Sequence, residues 1–350
     1  MPPATMKQWV VQDKEHDLDG LIYEDAEVPK VGENEVLVKL QAASLNYRDL
    51  SFRRYEPGTY PFALNFPVVP GSDGAGEVLD VGSKVVEFKK GDQVATLFNQ
   101  GHQYGEIDPH AAETGLGGAI DGILREYAVL NEQGLVKAPK NLTALEASTL
   151  SCAALTSWNA LYGLKPLKPG QVVLVQGTGG VSIFALQFAK AAGATVIATT
   201  SSSEKADKLK KLGADHVINY KVDPNWGDAA RKLTPEGAGV DHIIEVGGSG
   251  TLQQSFKCVK LEGIISVIGF LGGVDPKTQP TVLETLTHIC TVRGVYVGSK
   301  ALMRDMIRAI EANNIHPVVD EKVFSLDQTR EAYEYMWAQK HLGKLAIKIN

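Results

Sequence analysis

Residues 177–182 read Gly177-Thr178-Gly179-Gly180-Val181-Ser182, a G-x-G-x-x-G frame with serine in its last place. The frame lies between an apolar run, Val172–Val175, and a segment with helical patterning, Val181–Ala192. In a strand–turn–helix setting the first glycine permits the tight turn and the second lets the backbone approach a pyrophosphate. The third residue must be small so that helix and strand can pack. The helix N-terminus then meets the anion with unpaired N–H groups and the positive end of its dipole. The chemistry implied is dinucleotide binding; the plainer alternative is a tight βα turn. A second set of residues bears on which dinucleotide. An NAD site carries a carboxylate roughly 20 residues after the glycines, accepting from the ribose 2′-OH. This chain has Thr199-Thr200-Ser201-Ser202-Ser203-Glu204-Lys205 there. The hydroxyls of Ser201 and Ser202 and the cation of Lys205 suit a 2′-phosphate, so NADP(H) is favoured over NAD(H). Ser201 also reads as a helix N-cap, with Glu204 three residues on closing a capping box.

Other reactive residue types point to less. Cys152, Cys258 and Cys290 are odd in number, far apart and without a C-x-x-C pair, which excludes a disulfide framework and a structural zinc knot. His102, Glu106, Asp108 and His110 cluster within nine residues. They sit in a glycine-flanked polar stretch, Asn99–Gly122, which reads as a surface excursion whose side chains are solvated, so no metal site is expected. The run Lys205–Lys211 reads as a solvated helix face. Thirty-five Lys and Arg against 41 Asp and Glu give a net charge of −6, which supplies no field for nucleic acid. Pro169–Ala189 is uncharged and long enough to span a bilayer, but its central glycines and polar residues argue against membrane insertion. The first residues show neither an apolar signal core nor a transit pattern, so a cytoplasmic protein is expected.

The elements that must position these residues come in two styles. Up to about residue 130 the pattern is β-rich, with predicted strands over Glu35–Leu40, Gly74–Val81 and Gln93–Phe98. From Gln171 strands and helices alternate. Predicted strands cover Val172–Val175, Thr195–Thr200, His216–Asn219, His242–Val246, Gly263–Ile268 and Val292–Val297, and Gly193 and Gly213 stand where helices stop. Alternation at this spacing implies a parallel sheet covered on both faces. The tail adds predicted helices over Met303–Ala312 and Gln328–Trp337 and a strand over Leu345–Ile349. A length of 350 residues with 44% hydrophobic content supports two globular domains.

The order of a β-rich half, Pro169-Gly170 before the glycine turn, Leu212-Gly213-Ala214-Asp215 after it and Gly343-Lys344 before the last strand resembles the medium-chain dehydrogenase/reductase superfamily. Within it the chain looks most like the zinc-independent branch of quinone oxidoreductases and alcohol dehydrogenase-like proteins. The resemblance implies an α/β fold, a Rossmann doubly wound parallel sheet (153–297) inserted into a GroES-like β-rich catalytic domain (1–152 and 298–350). It also implies a cleft between them for the nicotinamide, which Tyr55 and Tyr60 could line. The catalytic metal ligands of zinc-dependent relatives fall here on Asn46, Ser72 and Cys152, which is not a zinc donor set. The resemblance therefore implies no zinc. Asn46 and Ser72 are left as donors to the substrate oxygen, with Tyr47 as a proton donor and Arg48 as an oxyanion anchor or the partner of Asp49.

For the cofactor the resemblance adds Thr156 near the carboxamide and Tyr220 at the adenosine end. Gly247, Ile268, Phe270, Val297 and Ser299 would line the nicotinamide half, though Ile268 and Phe270 also read as plain core. It further implies a homodimer through the sheet edge near Val292–Val297. The expected activity is hydride transfer from NADPH to a small quinone, enone or aldehyde. Alcohol oxidation stays open, as does a cofactor-binding protein with little catalysis, crystallin-like or RNA-binding.

Overall fold

The structure of the chain, a computed structural model, describes residues 2–13, 15–50, 64–271 and 279–350. Tyr55 and Tyr60 lie outside the described residues. The chain divides into two compact units, residues 1–155 with 297–350, and residues 156–296.

The first unit begins with β1 (Thr5–Val11), β2 (Leu21–Glu27), β3 (Glu35–Leu45), β4 (Asp73–Val81), β5 (Gln93–Thr96), β6 (Tyr127–Asn131) and β7 (Leu135–Lys137). In β3 the period-two residues Val36, Val38 and Leu40 are buried in one cluster with Leu116, Ile123 and Tyr333. Each such side chain contributes roughly 1.5–3 kcal/mol on burial. The stretch Asn99–Gly122 is the surface excursion expected from its polarity only in part: Tyr104, Glu106, Asp108 and His110 are exposed, while its two ends are packed in. Leu116 is fully buried, as is Asn99, whose Nδ2 donates to Ala111 O at 3.2 Å. Its glycines serve close packing: a Cβ on Gly122 would meet Gly71 O at 2.0 Å.

The second unit holds β8 (Val172–Gln176), β9 (Thr195–Thr200), β10 (His216–Asn219), β11 (Val240–Glu245), β12 (Val259–Val267) and β13 (Thr291–Gly294). They form one parallel sheet in the order β10-β9-β8-β11-β12-β13. Counted within the unit this is the 3-2-1-4-5-6 order of a doubly wound dinucleotide fold, whose ligands sit at the carboxyl ends of the strands beside the first-to-fourth switch. Helix Gly180–Ala191 is followed by Gly193 at φ +75° and helix Ser203–Lys211 by Gly213 at φ +102°. The predicted strand over Val292–Val297 is shorter in fact. It ends at Gly294, and Val297 takes φ +45°, which no strand accommodates. β13 is the sheet's edge.

The chain closes in the first unit with β14 (Phe324–Ser325) and β15 (Leu345–Lys348). That unit's main sheet runs β14-β15-β3-β4-β5-β7, with β6 also on β3. Among the described residues no helix is long and apolar enough to cross a membrane; Pro169–Ala189 is divided between β8 and the helix that follows.

Candidate functional site

In the second unit the glycine frame opens the helix at the carboxyl end of β8. Gly177 takes φ +75°, the left-handed turn that only glycine adopts without strain, and its N–H donates to Thr199 O at 2.9 Å. Ser182 Oγ donates to Gln176 O at 2.6 Å, so the serine in the third place ties helix to strand. Gly179 is the N-cap residue, and no side chain among the described residues caps the helix start. The N–H groups of Gly180, Val181 and Ser182 therefore face an uncapped end, with Thr178 buried beneath it.

At the end of β9, Thr200 Oγ1 is buried without a hydrogen-bond partner among the described residues. Tyr220 stands beside it, its N–H donating to Thr200 O at 3.0 Å. The expected capping box is corrected by one residue. Ser202, not Ser201, is the N-cap, extended at φ −143°, and its Oγ accepts from Lys205 N at 3.2 Å. Glu204 turns away to Lys208 at 3.2 Å, so the nearest carboxylate is engaged elsewhere.

Sequence reasoning missed the device that joins β8 to β11. Gln176 Nε2 donates to Glu245 Oε2 at 2.7 Å, while its Oε1 accepts from Val246 N at 3.1 Å and Gly247 N at 3.2 Å. Glu245 also accepts from Thr251 Oγ1 and Ser255 Oγ, each at 2.5 Å. Gly247 is thus held at the switch point by paired side chains. Ile268 and Phe270 are not core: the first is half-buried and the second exposed. Thr156 is buried in the second unit; Val297 and Ser299 belong to the first, where Ser299 caps helix Lys300–Ala312 through Leu302 N at 3.3 Å.

In the first unit the antiparallel register brings three strand ends together. Leu345 pairs with Leu45 across β15 and β3, and Ser44 pairs with Asp73 across β3 and β4. Lys344, Asn46 and Ser72, one residue beyond these pairs, therefore meet. The buried Lys344 Nζ donates to Leu45 O at 2.8 Å, Asn46 Oδ1 at 2.5 Å and Asp73 Oδ2 at 3.3 Å. Ser72 Oγ donates to Asp73 Oδ1 at 2.7 Å, and Asn46 Nδ2 donates to Ser72 Oγ at 3.5 Å. Cys152 N donates to Asp73 Oδ2 at 3.3 Å.

One expected role changes, and one of the two alternatives for Arg48 is met, its ion pair with Asp49. Ser72 is corrected from donor to acceptor, because its single hydrogen is committed to Asp73. Arg48 is a bracket: Nη1 donates to Leu116 O at 2.6 Å, its guanidinium covers the Phe98 ring at 4.9 Å, and Asp49 lies 3.4 Å away. Tyr47 is half exposed beside Asn46. Burial pushes the Asp49 carboxyl up to about 6 against the pull of Arg48, and pushes the Cys152 thiol up to about 12.

Residues 32–140 match the alcohol dehydrogenase GroES-like domain family, and residues 180–312 match the zinc-binding dehydrogenase family. A zinc-type alcohol dehydrogenase-like protein of Schizosaccharomyces pombe is 51% identical over 348 residues, spanning 98% of this chain and 99% of the relative. The chain belongs to the medium-chain dehydrogenase/reductase superfamily. A solved structure assigned as an alcohol dehydrogenase of Sinorhizobium meliloti is 39% identical with a TM-score of 0.90, covering 100% of both chains. A 2-methylene-furan-3-one reductase of Solanum lycopersicum is 31% identical over 350 residues, spanning 99% of this chain and 79% of the relative. This medium-chain enzyme is an oxidoreductase of the alcohol dehydrogenase/reductase type, for which a nicotinamide cofactor is expected.

The glycine turn fits that cofactor, with an uncapped helix end for its pyrophosphate and the orphan Thr200 hydroxyl beside its adenosine end. Zinc, which the family description implies, does not fit the residues present. Zn²⁺ wants imidazole, thiolate or carboxylate donors. Here the candidate ligands are an amide, a hydroxyl and a single thiol, and an ammonium already occupies Asn46 Oδ1. A zinc ion on that oxygen would stand within about 4.5 Å of the Lys344 nitrogen, repelled by roughly 7 kcal/mol at an effective dielectric of about 20. Among the described residues no group of three His, Cys, Asp or Glu is placed to hold a metal; Asp108 instead caps the short helix Pro109–Ala112, and His102 Nε2 lies 3.0 Å from Gly105 O.

Proposed function

We propose that this medium-chain enzyme is an NADPH-dependent, zinc-independent reductase of a small activated carbonyl or C=C, such as a quinone, enone or aldehyde. The observation that carries the cofactor preference is the end of β9. Thr200 presents a buried hydroxyl without a partner among the described residues, Ser201, Ser202 and Lys205 follow, and Glu204 is drawn away to Lys208. A 2′-phosphate meets hydroxyls and an ammonium there, whereas a 2′-OH finds no carboxylate to accept from it.

When bound, the reduced nicotinamide supplies a hydride. The chain's own residues hold the pyrophosphate at the N–H groups of Gly180–Ser182 and the 2′-phosphate at Ser201, Ser202 and Lys205, and they offer Asn46 to the substrate oxygen. The reductase among the relatives supports the reductive direction.

Initial rates with an enone, a quinone, an aldehyde and simple alcohols, each with both cofactors, test this. NADPH should be preferred at least tenfold, with a Lys205→Glu variant losing most of that preference. NADH preferred tenfold would sink the cofactor assignment. Faster turnover of alcohols with NADP⁺ would favour the oxidative reading. One chelator-sensitive zinc per active chain would overturn zinc independence.

A further inference from the structure

Lys344 is an ammonium in an interior position, and all three of its hydrogens are spoken for by Leu45 O, Asn46 Oδ1 and Asp73 Oδ2. An ammonium only donates, so the amide atom of Asn46 that faces it must be the oxygen. The orientation of the Asn46 side chain follows from that chemistry alone. Its remaining atoms are constrained as well. The backbone N–H of Asn46 donates to Asp49 Oδ2 at 2.8 Å, and Nδ2 donates to Ser72 Oγ, which is fixed by Asp73. Among the described residues Ser72 is the only acceptor for Nδ2, which leaves one amide hydrogen without a partner. Asn46 keeps 8% of its surface accessible, whereas Ser72 and Asp73 keep none. The unspent hydrogen is therefore left for a ligand to accept.

From this geometry we infer that Asn46 Nδ2 is the donor to the substrate oxygen, and that Lys344 is its positioning residue, fixing which end of the amide faces out. The inference rests on the reductase reading. The ammonium on Oδ1 draws electron density from the amide and strengthens the outward N–H as a donor. As a hydride bonds to the acceptor carbon, the π pair of the C=O bond moves to its oxygen. In an enone the pair arrives there through the C=C bond. The oxyanion meets an N–H whose amide Lys344 already holds in orientation. A solvent proton then completes the alcohol, or the enol that becomes the saturated ketone.

The experiment compares the wild-type enzyme with Lys344→Met, Lys344→Arg and Asn46→Asp in NADPH-driven enone reduction, with NADPH affinity read separately by its fluorescence. Lys344→Met is expected to lower kcat at least about 30-fold while KM moves less than about threefold, since the lost interaction belongs to the transition state. NADPH affinity should be unchanged, because the glycine turn and the β9 end lie in the other unit. Lys344→Arg, which restores a cation for Oδ1 and Asp73, should recover at least a third of wild-type kcat. Asn46→Asp keeps the contact with Lys344 but turns the outward donor into an acceptor. It should lose about 100-fold or more in kcat, the scale of one missing oxyanion donor.

A Lys344→Met enzyme with kcat within threefold of wild type would overturn the positioning role. So would an effect confined to KM, or an arginine variant no better than methionine. If Lys344→Met does not fold, Asn46→Asp decides alone, and wild-type-like turnover by it would overturn the donor assignment. A wild-type enzyme that binds NADPH but reduces no acceptor would overturn the reductase reading itself, an outcome distinct from all of these.

Discussion

Cys152 lies among the groups that meet Asp73, and its chemistry shows how environment overrides residue type. Burial first, and then the nearby Asp73 charge, push its thiol up to about 12. At pH 8 such a thiol carries over a thousandfold less thiolate than one of ordinary pKa. Iodoacetamide applied to the native protein at pH 8 should therefore label Cys152 roughly a thousandfold more slowly than in the denatured chain, read by peptide mass spectrometry. Rapid native labelling would mean a thiolate, and with it a metal or nucleophile role that the present geometry denies. Ser72 shows the converse: its hydroxyl looks like a donor in the sequence and is spent as one on its own neighbour.

The strand–turn–helix element at Gly177–Ser182 was legible because its function is local. Six consecutive residues set the turn, the helix start and the anion site, and no distant register has to be known. Gly179 offers a clean test of it. The residue has φ −74°, and a Cβ built on it would meet nothing within 4 Å among the described residues. Gly179→Ala should therefore move unfolding free energy by no more than about 1 kcal/mol, since alanine accepts the backbone angles but is the poorer N-cap. If that open side is where pyrophosphate approaches, NADPH affinity should fall at least tenfold, about 1.4 kcal/mol. Calorimetric titration alongside a thermal melt checks both halves, and unchanged affinity would remove the pyrophosphate from this turn. Legibility failed where function depends on pairing between distant strands. Lys344 meets Asn46 across 298 positions of sequence, through the β15–β3 register, and nothing local marks it beyond a lysine before an apolar strand. The capping serine was misplaced by one because Ser201 and Ser202 are chemically alike and only the backbone angles choose between them. Polarity misread only the ends of Asn99–Gly122, where buried polar side chains such as Asn99 look like surface in a sequence.

At the scale of the whole molecule the two units carry buried titratable groups whose contributions run in opposite directions. In the second unit His242 is buried in β11 with neither ring nitrogen partnered among the described residues, and burial lowers its pKa to about 4. The unfolded chain therefore binds more protons than the folded one between the ordinary value of about 6.5 and 4. Stability from this residue is intact above pH 6.5 and lost as pH falls toward 4, by about 2–3 kcal/mol between pH 7 and 4.5. In the first unit Asp49 is the reverse case. Its folded carboxyl titrates near 6, above the ordinary range, so the folded state holds the proton longer. It loses about 2 kcal/mol of stability as pH rises from 4.5 to 7. Within the molecule these terms largely offset, so each should emerge only when the other is removed. Against wild type, a His242→Leu variant should gain about 2–3 kcal/mol in relative stability on moving from pH 7 to 4.5. An Asp49→Asn variant, whose amide oxygen still accepts from Asn46 N, should gain about 2 kcal/mol on moving the other way. Urea unfolding at the two pH values measures both. The variant-minus-wild-type differences must change in opposite directions, and parallel or flat changes would show that at least one group titrates normally in the folded chain.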